Sequence, residues 1–245
     1  MTKLEHEHTA EAIRERLGQD FRTSYLRDWV YGGIDGAVTT FAVVAGVAGA
    51  ELSTSVILIL GFANLVGDGF SMAAGNYSGT KTEEDDRERL LAIERKHIAL
   101  VPEGEREEIR AIFAAKGFEG RDLDRIVDVI TSDETRWART MLVEEYGLSG
   151  SARSPLKAAA ATFAAFLLCG LVPLVPFLAV THVPFSVPTV ATGLVFFLIG
   201  SAKSRWSLTS WWRSGLETFA IGMGAALLAY FVGYAVKTLT GYSGI

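Results

Sequence analysis

Apolar runs long enough to cross a bilayer as helices recur five times along this chain, at residues 29–50, 55–77, 156–181, 185–203 and 215–238. A helix needs about 20 mostly apolar residues to span the hydrocarbon. The fourth run is short and opens on Pro184 and Pro188. Pro173 and Pro176 predict a kink in the third, which a bundle tolerates because neighbours re-satisfy the freed carbonyls. Residues 78–154 are charged and patterned as soluble helices. Glu83–Leu100 is rich in strong helix formers, Pro102 suits the first turn of a helix over Pro102–Lys116, and Gly117 ends it. Helices over Asp122–Ile130 and Asp133–Tyr146 follow. Before Trp29, the residues Ala12, Ile13, Leu17 and Phe21 form an amphipathic pattern suited to a membrane surface.

The fold class these patterns predict is all-α: a polytopic membrane protein with five transmembrane helices and a cytosolic helical insert between the second and third. The divisions are an N-terminal cytosolic amphipathic segment (1–28), transmembrane helices one and two (29–77), the insert (78–154) and transmembrane helices three to five (155–245).

Lys and Arg near the span ends give the orientation. Arg14, Arg16, Arg22 and Arg27 flank the first span, Lys81, Arg87 and Arg89 follow the second, Arg153 and Lys157 precede the third, and Lys203, Arg205 and Arg213 link the last two. The opposite loops, Glu51–Thr54 and His182–Phe185, carry neither Lys nor Arg. The N-terminus is therefore expected inside and the C-terminus outside, with Lys237 the one charge against the rule. The first thirty residues are polar and show no signal peptide, so the first span would direct insertion.

Composition agrees with this division. At 49% apolar content over 245 residues the chain is too apolar for an ordinary soluble domain, and its charge concentrates in the insert and the first thirty residues. The single cysteine, Cys169, excludes an internal disulfide or a cysteine-based metal site. Nothing in the charge pattern points to nucleic acid; the bilayer is the expected partner.

Asp35 and Asp68 lie inside the first two spans. A carboxylate at the bilayer centre costs roughly 2.5–3.5 kcal/mol on insertion scales, so it persists where it meets a cavity, a partner or an ion. Asn64, Asp68 and Met72 are spaced i, i+4, i+8 and share one face of span two, while Asp35 and Thr39 share one face of span one. Because the two spans are antiparallel, Asp35 and Met72 fall at similar depth, roughly 8–9 Å from the inner end. Carboxylate, amide oxygen and thioether together suit Mn2+ or Fe2+ better than Mg2+ or Ca2+. The bland alternative is that Asp68 and Asn64 only hydrogen-bond between helices and that Met72 only packs.

The insert holds eighteen Asp and Glu against thirteen Lys and Arg. Glu94 and His97, Glu105 and Glu108, and Met141 and Glu144 are each spaced i, i+3, so each pair projects from one helix face. Packed helices presenting carboxylates and imidazole are how bundles build metal sites. Solvated helices of this composition are also common, and pairing with Arg87, Arg95, Arg106 or Arg110 is the plain alternative.

These residues together resemble the vacuolar iron transporter family, and the chain is read as a bacterial-type member. The matching stretches are YGGIDGAVTTFAVVAGVAGA (31–50), ANLVGDGFSMAAGNYSGTKTEED (63–85), ERKHIALVPEGEREEIRAIFAAKGF (94–118) and TMLVEEYGL (140–148). The resemblance implies a homodimeric five-span carrier, not an enzyme, that moves Fe2+ and sometimes Mn2+ out of the cytosol against protons. The family's path-lining Asp and Met fall on Asp35 and Met72, with Thr39, Asn64 and Asp68 beside them. Its cytosolic metal ligands fall on Glu94, Glu105, Glu108, Met141 and Glu144. Two departures stand out: His97 replaces a Glu, and Thr140 precedes Met141 where many members have two Met. Imidazole also accepts Zn2+, so selectivity is the property these changes touch. The ion is cargo, no prosthetic group is expected, and a cytoplasmic (inner) membrane is the predicted location. The rival is a membrane-anchored di-iron oxidase or iron-storage module built on Glu94-x-x-His97, although such sites usually need that motif twice.

Overall fold

A computed structural model describes residues 7–18, 24–148, 153–179 and 183–241. Ten α-helices are described: α1 (Ala10–Gly18), α2 (Leu26–Gly49), α3 (Thr54–Leu100), α4 (Pro102–Ala115), α5 (Gly120–Thr131), α6 (Glu134–Glu144), α7 (Pro155–Gly170), α8 (Val175–Ala179), α9 (Ser186–Lys203) and α10 (Trp211–Thr240). No strand occurs among the described residues. The N-terminal amphipathic pattern is described only in part, since Phe21 lies outside these residues.

Among the described residues, four helices are long and apolar enough to cross a membrane: α2, α3, α9 with the 3-10 turn that extends it to Trp206, and α10. The third apolar run differs from a single kinked span. It forms α7, a shorter apolar helix, then a turn and the short α8. Pro173 and Pro176 explain the break, because each lacks the N–H that would continue the ladder. A second difference concerns the end of span two. Spanning and soluble helices are separate in the sequence reading, yet α3 runs unbroken from Thr54 to Leu100. Residues 78–82 contain no proline, and their single glycine costs a helix only about 1 kcal/mol.

The chain divides into two compact units, Tyr25–Thr80 with Ser154–Ile245, and Lys81–Arg153 with the N-terminal segment. In the first, the apolar unit, α2 is central and packs on α7, α10 and α9. Its core holds Ala37, Phe41, Val44, Ala45, Phe166, Leu174 and Phe196. The helices approach closely because glycines face backbone. A methyl group on Gly36 would collide with the carbonyl of Phe166, and one on Gly233 with the carbonyl of Gly46. Ser154 caps α7, its Oγ accepting from the Lys157 N–H at 3.4 Å, with Pro155 in the first turn. Lys237, the one cation against the positive-inside pattern, is ion-paired with Glu51 of the α2–α3 loop.

In the second, the insert unit, the end of α3 joins α4, α5 and α6 around Ile109, Leu123, Val127, Ile130, Trp137 and Met141, with Ile98 packed against them. Gly117, at φ 92°, lets the chain leave α4 in a left-handed conformation. Asp133 caps α6 by accepting from the Arg136 N–H at 2.7 Å.

Candidate functional site

In the apolar unit, α2 and α3 bring four of the five expected path residues together. Thr39 Oγ1 donates to the Asp35 carbonyl at 2.9 Å and accepts from Asn64 Nδ2 at 3.4 Å. Asp35 is half-buried, and Asp68 stands near enough for its charge to act on it. Met72 is also half-buried and packs against the apolar core. The Asn64–Thr39 bond and the Met72 packing are what the purely structural alternative expects as well. The two carboxylates facing each other are what it leaves unexplained.

Two residues on this seam escaped the sequence reading. Asp28, at 5% exposure, lies two helical turns before Asp35, and Asn76 lies one turn beyond Met72. Asn76 Nδ2 donates to Asp28 Oδ1 at 2.9 Å. Continuing the i, i+4 stripe by one step from Met72 would have found Asn76. Asp28 sits just outside the apolar run, where a carboxylate looks like ordinary flanking polarity.

In the insert unit, Glu94 of α3 and Glu105 of α4 are buried at 1% and 5% exposure, although both are carboxylates. His97 Nδ1 lies 3.3 Å from Glu105 Oε1. The Tyr146 hydroxyl donates to Glu94 Oε1 at 2.9 Å. The other carboxylate oxygen of each, Glu94 Oε2 and Glu105 Oε2, is buried with no hydrogen-bond donor. Such atoms are rare in folded proteins, because losing water without replacement costs about 1–3 kcal/mol, more for a charge.

Electrostatics follow from this crowding. Burial, then the charges of Glu108 and Glu94, push the Glu105 carboxyl up to about 7. Glu145 is raised too, first by burial and then by Glu94 and Glu108. Burial and the bond to Glu94 push the Tyr146 phenol up, so it stays a donor. Three of the arginines that might have neutralised the cluster are engaged elsewhere: Arg106 with Asp128, Arg110 with Asp124 at 2.7 Å, and Arg95 with Glu134 at 4.0 Å.

The structure thus assembles Glu94, His97, Glu105 and Glu108, and adds Glu145 and Tyr146, which the sequence reading missed. It places the other two expected ligands differently. Glu144 pairs with Lys116, and Met141 is fully buried in the apolar core beside Ile109 and Trp137. Helical spacing could not separate Glu144 from Glu145, because α6 ends there and only the fold decides which carboxylate comes near Glu94 and Glu108. As arranged, no three His, Cys, Asp or Glu side chains among the described residues are close enough to hold a metal ion at once.

Residues 26–234 match the model of the VIT family. The chain is 31% identical to vacuolar iron transporter 1 of Arabidopsis thaliana, with 86% of each protein covered. It is 30% identical to the vacuolar iron transporter of Toxoplasma gondii, over 96% of this chain and 83% of that protein. With vacuolar iron transporter 1 of Eucalyptus grandis the figures are 31% identity and 87% of each. None of these relatives supports the bacterial-type reading. A match across both spanning carboxylates and the whole insert, at this identity and coverage, makes the chain a member of the VIT family.

Proposed function

We propose that this protein carries Fe2+ across a membrane, capturing the ion on the insert and passing it along the α2–α3 seam. The observation that carries the reading is the pair Asp35 and Asp68, facing each other inside helices of spanning length in a chain whose relatives are named iron transporters. The finer elements are part of the same proposal: proton antiport, Mn2+ as a second cargo, a homodimer, and an N-terminus and insert in the cytosol of a cell whose cytoplasmic membrane holds the protein.

Each step has a physical basis. The acidic insert raises the local concentration of hydrated cations by electrostatic attraction. An Fe2+ arriving at Glu94 and Glu105 meets buried oxygens that lack donors, and it displaces the proton that Glu105 retains near neutral pH. Within the seam, Asp35 and Asp68 replace part of the ion's hydration shell, and Met72 offers a softer ligand. Protonation of either carboxylate from the far side weakens the hold and releases the ion, which couples the two flows.

The test is Fe2+ flux into proteoliposomes under an imposed pH gradient, kept anaerobic, with Asp35→Ala alongside. Gradient-driven flux that disappears in the variant is the expected result. Flux that persists in Asp35→Ala would sink the path. No flux under any gradient, with oxygen consumed on adding Fe2+ in air, would favour the oxidase or storage reading.

A further inference from the structure

Asp35–Asp68 and Thr39–Asn64 set a register between antiparallel helices, in which four residues back along α2 correspond to four forward along α3. Two turns further, seven residues back along α2 and eight forward along α3, Asp28 comes opposite Asn76, and there the contact is a hydrogen bond of 2.9 Å. Asn64, Asp68, Met72, Asn76 and Thr80 therefore form one continuous i, i+4 stripe down α3. Asn76 is held on all sides. Its second Nδ2 hydrogen goes to Thr162 Oγ1 of α7 at 2.7 Å, and its Oδ1 accepts from Thr80 Oγ1 at 3.4 Å. Thr162 is 1% exposed and Thr80 5%.

We propose that Asp28, Asn76 and Thr162 form a further divalent-cation station on the seam, held shut by the Asn76 amide. The proposal deepens the transport reading and rests on it. In the closed arrangement the two N–H groups of Asn76 point at the oxygens a cation needs. Turning that amide over presents its Oδ1 instead, beside the Asp28 carboxylate and the Thr162 hydroxyl. The three side chains then offer only oxygens, a set that suits Mn2+ and Fe2+. The displaced N–H groups face Thr80, whose hydroxyl donates now and accepts after the turn. The turn exchanges the amide oxygen and nitrogen about the last side-chain bond of Asn76, so it needs no added volume.

The decisive variant is Asp28→Asn. It keeps an oxygen that accepts from Asn76, so a purely structural clasp survives it, but it removes the charge that a cation requires. Mn2+ is the probe, followed by EPR on the full-length protein in detergent. A background of Glu94→Gln, Glu105→Gln and Asp35→Asn removes the insert's buried carboxylates and breaks up the Asp35–Asp68 pair, so the signal reports the Asp28 end of the seam. Asp28→Asn should weaken Mn2+ binding at least tenfold with the melting temperature unchanged, and Asn76→Asp, which replaces the closing donors by a second carboxylate, should tighten it at least tenfold.

Mn2+ binding unchanged in Asp28→Asn, or weakened in a folded Asn76→Asp, would overturn the station and leave a structural clasp. Flux measurements separate this result from the transport reading. Asp28-dependent Mn2+ binding in a wild type that moves no metal would fail the carrier and keep the station. Flux at the wild-type level in Asp28→Asn would keep the carrier and fail the station.

Discussion

In the apolar unit the carboxylates meet amides, hydroxyls and glycine-lined helix faces: Asn76 donates to Asp28, and Thr39 and Asn64 bond to each other beside Asp35. In the insert unit more of them crowd together. Glu94 and Glu105 each keep a buried oxygen without a donor, and Glu108 and Glu145 add negative charge nearby. Thr39, Asn64 and Asn76 on the seam are hydrogen-bonded at rest, so an ion held by any of them must displace a bond that already exists. The insert carries an unmet demand for positive charge, which a bound cation would relieve. The first arrangement suits passage and the second suits capture.

That division predicts different kinetic signatures, and the largest effect belongs to the seam. Asp35→Ala should lower Fe2+ flux at saturating ion by at least about a hundredfold, ~2.7 kcal/mol in the barrier. Glu105→Gln should leave the saturating rate within about twofold and raise the half-saturating Fe2+ concentration instead. Initial rates across a range of Fe2+ concentrations make the comparison. If both variants lowered only the saturating rate, the two units would not have separate roles.

The parts of the molecule differ in how far the sequence revealed them. The spanning helices were legible because hydrocarbon leaves no option but long apolar helices, and their boundaries in α2 and α9 fall close to the runs themselves. The breaks were less legible. Two prolines divide the third run completely, whereas the polar stretch after Tyr77 does not interrupt α3 at all, since polarity alone breaks no hydrogen bond. Among the site residues, those on one helix face were readable from spacing: Asn64 and Asp68, Glu94 and His97, Glu105 and Glu108. Asn76 with Asp28, Asn76 with Thr162, and Glu94 with Tyr146 pair across 48, 86 and 52 positions of sequence only because of tertiary packing. Met141 shows the limit from the other side: a thioether has no spacing that distinguishes ligand from core, and here its surroundings are apolar.

A second contrast is in pH dependence, and its sign follows from Glu105. The carboxyl titrates near its ordinary value of 4.5 in the unfolded chain and at about 7 in the folded insert. Below pH 4.5 it is protonated in both states and contributes nothing. Between pH 4.5 and about 7 the folded state holds the extra proton, so stability falls as pH rises and then levels off. The expected loss is on the order of 2 kcal/mol, and the raised Glu145 acts in the same direction. Hydrogen exchange of the full-length protein reads the two units separately. Insert amides should become less protected from pH 5 to pH 7.5, while those of α2 and α10 respond less. Glu105→Gln, or saturating Mn2+ at the higher pH, should remove the slope. An insert whose protection rises with pH in the metal-free protein would contradict the assignment of Glu105.

The smallest expected effect distinguishes two neighbours that the sequence could not. Glu144 pairs with Lys116, and its side chain is 26% exposed, so its charge is largely answered and partly solvated; such pairs are worth about 0–1 kcal/mol. Glu145 is the more exposed of the two, yet partial burial and the nearby charges of Glu94 and Glu108 raise its carboxyl. Glu145→Gln should therefore relieve repulsion in the metal-free insert and weaken capture, raising the half-saturating Fe2+ concentration about three- to tenfold, ~0.7–1.4 kcal/mol. Glu144→Gln should move it less than about twofold, because it leaves the cluster untouched. Mn2+ titration of the two variants side by side checks the order. The reverse order would mean that the end of α6 turns by about one residue, near 100°, when metal binds, bringing Glu144 rather than Glu145 to Glu94 and Glu108.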